Sequence, residues 1–285
     1  MRSQNDSRSR HEAWVTTRER SLRDPEGWLS LVALHWLPTG RMTVLASSGV
    51  SSETCLVLPG APASPTARFL LEDTGSLRVT IPSGVQATID GDAMATETPI
   101  IMRSDEAPTA SILRSGRLHV THIHRQDRSA LRVRDREAPT LMRHRGVPRF
   151  DFDPEHIVSA RFVPANPGTT IPITLITEHV EAHPVKGTLH FELDGRPLSM
   201  LAQPSGEDLF VVFGDQTNQA PGDHGTYGGG RFLSVPRPDR NGLTTIDFNR
   251  AVNPPCSFTP HATCPTPPTC NRLPLPVTAG ERRPS

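Results

Sequence analysis

Lysine is almost missing from this 285-residue chain: all but one of its 30 basic residues are arginine, and Lys186 is the exception. Arginine suits fixed carboxylate or phosphate recognition and is a poor proton-transfer group, so the basic residues point to clamping of anions. Net charge is missing too, with 30 acidic residues balancing the basic ones. No global field then steers the chain to nucleic acid or to an anionic membrane. No apolar run approaches the ~20 residues needed to span a bilayer. The opening MRSQNDSRSRHEAW has no apolar signal core. The expected setting is cytoplasmic, the expected partner a small molecule, with no nucleic acid, no membrane and no cofactor. Aromatics make up only 5% of the chain and Tyr227 is its sole tyrosine, so core volume must come from Leu, Val, Ile and Ala. No sustained amphipathic helix follows Trp36, which excludes doubly wound α/β folds and helix bundles. With four cysteines only, a disulfide framework is not expected, and Cys55, Cys256, Cys264 and Cys270 read as thiols or ligands.

What the chain does have is proline (29) and glycine (21), the mark of many short elements joined by turns. Residues 1–9 are polar and expected to be disordered. Residues 10–40 suggest two short helices. In the second, DPEGWLSLVALHW, Asp24 can cap, Pro25 takes the first helical position, and Leu29, Val32, Ala33 and Trp36 share a face. Between 41 and 135 the texture changes to short strands with tight-turn signals at EDTGS and IDGD, which predicts a β-sandwich-like unit. The strand succession resembles, loosely, that of a forkhead-associated-type sandwich without its phosphothreonine-reading signature. Within it, RLHVTHIHR places His119, His122 and His124 at polar, solvent-facing positions of a half-buried strand. Residues 136–156 read as a linker and 157–281 as a second β unit, with a hairpin turning at Asp194-Gly195. The expected fold class is mainly β (α+β): two short N-terminal helices, then two antiparallel β units, sandwich- or barrel-like, with a proline-rich C-terminal strap.

Two strands of the second unit end in polar clusters. LFVVFGDQTN is an apolar run of a strand buried on both faces, delivering Asp215 and Thr217 at its end. LTTIDFNRAVN delivers Asp247, Asn249 and Asn253. Between them, GTYGGGR carries Tyr227 and Arg231. It follows no strand–helix unit and lacks a Lys-Ser/Thr pair, so it is not a Walker-type phosphate loop. Neighbouring strands should bring Asp215, Arg231 and Asp247 together. One arginine between two carboxylates is compatible with a purely structural network, which would hold itself in place because an orphaned buried charge is so costly.

From Asn253 to Pro276 the chain holds eight prolines and three cysteines, with Arg272 the only charge between Arg250 and Glu281. Proline enforces extended backbone and is unwelcome inside sheets, and disordered linkers of this composition are usually more charged. The stretch predicts a stiff strap laid across the second unit. Its cysteines leave three readings open. Cys256, His261 and Cys264, with Cys270, have the ligand types for zinc but no common spacing. A nucleophilic thiol with His261 as base would lack the helix N-terminus that usually activates one. Small buried thiols filling gaps under the strap, with or without an opportunistic disulfide, are the third.

The segments GWLSLVALHWLPTG, ALRVRD, LFVVFGDQTN, TYGGGRFL, DFNRAVNPPCSF, ATCPTPPTCNRLP and AGE resemble, in order, the motif series of domain-of-unknown-function family 1684. The resemblance runs from about Trp14 to Glu281. It implies that Asp215, Thr217, Tyr227, Arg231, Asp247, Asn249, Asn253, Cys256, Cys264, Asn271, Arg272 and Glu281 match characteristic polar positions. It implies no activity. Cys270 lies outside the pattern, position 261 is commonly aromatic in it, and the insertion QAPGDHG is longer than expected. The residues therefore predict a polar pocket roofed by the strap. Asp215, Tyr227 and Asp247 are its catalytic candidates. Thr217, Arg231, Asn249, Asn253 and Arg272 are its candidates for binding a small, anionic ligand. A hydrolase with an Asp general base competes with a non-catalytic ligand- or partner-binding module and with a structural polar network.

Overall fold

In a computed structural model, which describes residues 2–222 and 225–284, the chain forms two compact units. One spans Leu22–His144. The other combines the residues up to Ser21 with those from Arg145 onward. Asp223 and His224 of the QAPGDHG insertion lie outside the described residues.

The first helix, α1 (Arg2–Leu22), takes in the leading segment expected to be disordered. The second expected helix does not form. Asp24 caps a turn instead, accepting from the Glu26 N–H at 2.8 Å with its side chain and from the Gly27 N–H at 2.8 Å with its carbonyl. A single 3₁₀ turn (Trp28–Ser30) then leads into strand β1 (Leu31–Trp36). The cue at Asp24-Pro25 serves a turn as well as a helix start, and the residues after it are rich in Leu and Val, which suit a strand beside a long partner.

The Leu22–His144 unit continues with β2 (Met42–Ala46), β3 (Cys55–Val57), β4 (Ala67–Leu71), β5 (Leu77–Thr80), β6 (Thr88–Ile89), β7 (Asp92–Ala93), β8 (Ile100–Met102), β9 (Ile112–Ser115), β10 (Leu118–Arg125) and β11 (Arg128–Asp135). A short α2 (Pro139–Arg143) closes it. The strands make two sheets, ordered β1-β11-β10-β9-β6-β7 and β3-β2-β4-β5-β8. Phe69, Leu77 and Val79 from one sheet share a core with Leu113, Val120 and Leu131 from the other, the packing of a sandwich. Asp90 (φ 55°) and Gly91 (φ 100°) turn the β6–β7 hairpin in the left-handed conformation that such tight turns need.

The histidines of β10 are not all solvent-facing, because β10 lies inside its sheet. His119 and His122 are buried, and only His124 is partly exposed. The His122 Nε2 lies 2.9 Å from the Ser129 hydroxyl and its Nδ1 3.4 Å from the Met102 carbonyl. Burial pushes this imidazole below its ordinary value of 6.5. The Met102 hydrogen bond and the carboxylates of Asp105 and Glu106 oppose that shift, while His124 adds to it. Below pH 6.5 the unfolded chain takes up a proton that the folded unit refuses, so stability falls as pH drops from there toward the folded value. Thermal melts across that window should show this slope, and His122→Asn should flatten it. An equal slope in the variant would remove His122 as its cause.

The other unit contains β12 (Ile157–Pro164), β13 (Thr170–Thr174), β14 (Val180–Pro184), β15 (Gly187–Leu193), β16 (Arg196–Ser205), β17 (Asp208–Phe213), β18 (Arg231–Val235) and β19 (Leu243–Asp247). Six of these form one antiparallel sheet ordered β18-β17-β16-β15-β12-β19, while β13 and β14 make a separate hairpin. Asp194 (φ 52°) and Gly195 (φ 70°) turn the β15–β16 hairpin as expected. The sheet curls into a half-barrel. Its two edge strands meet where the Thr244 hydroxyl donates to the Pro236 carbonyl at 2.7 Å, and Val252 exchanges two backbone hydrogen bonds with Phe232. Leu209, Val211, Phe213, Leu233, Val235, Ile246 and Phe248 point inward.

The proline-rich segment lies against this half-barrel. From Asn271 to Ala279 every second residue is buried: Asn271, Leu273, Leu275, Val277 and Ala279. Pro274 and Pro276 fall on the exposed alternate positions, where a missing N–H leaves no core donor unpaired. Leu273, Leu275, Val277 and Ala279 complete the half-barrel's own core.

Candidate functional site

The sheet's curl brings some of the expected residues together and keeps others apart. β17 runs out of the core at Phe213, so Asp215 begins a 3₁₀ turn (Gln216–Gln219) as its cap. The Asp215 carboxylate is wholly enclosed. Its Oδ1 accepts from the Thr217 N–H (2.8 Å), the Thr217 hydroxyl (2.5 Å) and the Val277 N–H (3.2 Å), and its Oδ2 accepts from Arg231 (2.7 Å). Arg231 starts β18, is fully buried, and also donates to the strap carbonyls of Val277 (2.9 Å) and Ala279. Burial pushes its guanidinium below the usual value, and Asp215 pushes back. Gly230 permits the approach. Its φ is 86°, and a Cβ there would stand 2.3 Å from Pro267 and 2.6 Å from the Phe213 carbonyl. Asp215, Thr217 and Arg231 thus tie the strap down in a closed network in which the carboxylate is fully buried.

The remaining expected residues stand elsewhere. Asn249 is buried and braces the start of β12, accepting from the Asp153 N–H (2.9 Å) and donating to the Asp153 carbonyl (2.8 Å). Asn253 donates its N–H to Glu281 (2.6 Å) and its side-chain amide to the Arg282 carbonyl (2.7 Å). Arg272 is exposed, its backbone bridged to Gly214. Tyr227 reaches the Cys256 carbonyl (3.3 Å), not the carboxylates. Among the described residues no group of three or more His, Cys, Asp or Glu is placed to hold a metal, so the zinc arrangement of Cys256, His261 and Cys264 is not assembled.

Asp247 leaves the end of β19 on the outer face of the half-barrel. Its Oδ1 accepts from the Asn249 N–H and side-chain amide (both 3.1 Å), and its Oδ2 forms an ion pair with the Arg250 guanidinium, 3.1 Å from Nε. This pair lines a groove of about 770 Å³ along the seam beside α1. Arg10, Trp14 and Arg18 of α1 form one wall. Phe210 and Phe232, packed edge to face at 5.0 Å, line it from β17 and β18. The Arg250 and Arg149 guanidiniums lie 5.8 and 5.5 Å from the Trp14 ring centre.

Sequence reasoning missed this groove because α1 docks through polar residues. His11, Arg18 and Glu19 flank Trp14 on its inward face, so no continuous hydrophobic stripe marks it. Glu281 was missed as a hub. Fully buried, it accepts from Arg18 (3.0 Å), Arg149 (3.0 Å) and the Asn253 N–H, fixing α1 to the strap's end. An isolated Glu after thirty residues bearing one other charge was the available cue.

These observations define a β-rich chain whose second unit is a half-barrel sealed by a polar-anchored strap. The chain belongs to the family described as protein of unknown function DUF1684, whose model matches residues 142–282. The match covers β12 to β19 and the strap. The segments GWLSLVALHWLPTG and ALRVRD lie outside it. Among solved structures the chain is similar to an uncharacterised protein of Haloarcula marismortui determined by solution NMR. The two share 33% identity over 48% of this chain and 76% of that one, with a TM-score of 0.39. No curated protein matches the chain.

Proposed function

We propose that the groove along the half-barrel seam binds a small anionic ligand with a flat or apolar body, such as an aryl or alkyl carboxylate, without catalysis. The observation that carries this reading is the partly exposed Arg250 beside an aromatic wall. Arg250 is 40% exposed on its side chain and is held by one partly exposed ion pair to Asp247 and by the Trp14 ring, so it can turn toward an incoming anion at little cost. Trp14, Phe210 and Phe232 offer stacking and apolar area, and Arg10 is exposed at the rim. Pockets of this make-up take ligands through apolar contact and a few charged groups that fix orientation. Asp247 accepts two hydrogen bonds on Oδ1 and faces the Arg250 guanidinium with Oδ2, so its part is to hold Arg250.

A cytosolic setting fits the four free cysteines. Among the described residues no helix is long and apolar enough to cross a membrane. A calorimetric titration with a panel of aryl and medium-chain carboxylates tests the proposal, wild type beside Arg250→Ala. Saturable binding that weakens about tenfold or more in the variant, the loss of one charge-assisted contact, is the expected result. Equal affinity in the two proteins, or no binding by any member of the panel, overturns it.

A further inference from the structure

Two thiols and the only tyrosine of the chain meet away from the groove, sharing none of its lining residues. The Cys256 N–H donates to the Cys264 Sγ at 3.3 Å, and the Tyr227 hydroxyl donates to the Cys256 carbonyl at 3.3 Å. Cys264 is buried and Cys256 is partly exposed. Pro254 and Pro255 precede one cysteine and Pro265 follows the other, so the backbone that presents them is stiff. The neighbouring Cys264 thiol first, and the Tyr227 phenol after burial, bear on the Cys256 thiol, which is held below its ordinary value although burial opposes that shift. Burial first, and the contact with Cys256 after it, push the phenol upward, so it stays protonated and able to donate. Cys270 differs in each respect: it is exposed, and burial of its sulfur pushes its thiol upward.

We propose that Cys256 and Cys264 form a dithiol site that exchanges with small disulfides of the oxidised-glutathione class, Cys256 attacking and Cys264 resolving. The Cys256 thiolate attacks one sulfur of the small disulfide. A Cys256 mixed disulfide forms, and one thiolate leaves and takes a proton from water. Cys264 then gives up its proton and attacks the Cys256 sulfur, expelling the second thiolate. The protein dithiol is oxidised by two electrons to an intrachain disulfide, and the small disulfide is reduced to two thiols. The partly exposed Cys256 is open to a small disulfide, and the buried Cys264 sulfur lies 3.3 Å from the Cys256 backbone nitrogen, the order that this sequence of steps needs.

The test uses the full reduced chain with oxidised glutathione, followed by alkylation and peptide mapping. The wild type should yield a Cys256–Cys264 linked peptide before Cys55 or Cys270 is modified. Cys264→Ser should stop at glutathione on Cys256. Tyr227→Phe should move the pH profile of Cys256 alkylation upward, slowing it at neutral pH by up to about tenfold, the change in thiolate fraction given by one pKa unit. No linked peptide in the wild type, faster capture at Cys270, or an unmoved alkylation profile would each overturn the assignment.

Discussion

Replacing Arg231 with methionine should lower folding stability by about 3–5 kcal/mol, the cost of leaving a buried carboxylate without its cation. Asp215 would keep its hydrogen bonds from Thr217 and Val277 but lose the one formal positive charge it touches. The carbonyls of Val277 and Ala279 would lose their donors in the same step. The variant Asp215→Leu should be damaging for the converse reason, since a fully buried guanidinium is then unpaired. The double variant removes both charges, so its loss should be clearly smaller than the two single losses added together. Urea denaturation of the four proteins supplies the cycle. A single-variant cost below about 1 kcal/mol, the value of an exposed pair, would mean that water reaches Asp215 and that the network is not closed.

Asn271→Ala should rank second, at about 3 kcal/mol or more. β16 and β17 pair only near their turn, from Gln203↔Phe210 to Ser205↔Asp208, and splay beyond it. The Asn271 side chain fills that opening as a surrogate peptide group. It accepts from the Leu201 N–H (2.7 Å) and donates to the carbonyls of Leu201 and Val212 (both 2.9 Å). Truncation leaves one buried and two partly buried backbone groups without this partner, each costing up to roughly 1–3 kcal/mol before relaxation. Asn271→Asp should be nearly as harmful, because a carboxylate cannot donate to either carbonyl. Denaturation midpoints for the two variants decide the matter, and an Asp variant as stable as wild type would refute the surrogate-peptide role.

Much of this architecture was readable because its signals are local. Asp90-Gly91 and Asp194-Gly195 announce tight hairpins by chemistry alone. The strap was legible because eight prolines with hardly a charge cannot be a sheet interior or a well-solvated coil. The meeting of Asp215 with Arg231 followed from strand ends, since β17 and β18 are adjacent. Asp247 stands apart from them because strand alternation sends Ile246 inward and Asp247, the last residue of β19, outward. The sequence of β1 suggests a helix because apolar spacing over a short run fits both periods. The docking of α1 rests on ion pairs such as Arg18 to Glu281, 263 positions apart, and no local pattern encodes such a partner.

The alternation of strap residues 271–279 has a consequence for biosynthesis. A ribosome releases β12 to β19 before it releases Leu273, Leu275, Val277 and Ala279, yet those four side chains belong to the same core. For that interval the nascent half-barrel has an open apolar mouth, the sort of surface that holdase chaperones cover. The first helix emerges much earlier still and waits for Glu281 before its own ionic anchor exists. Vectorial synthesis therefore leaves this unit's consolidation to the last few peptide bonds made among residues 271–281.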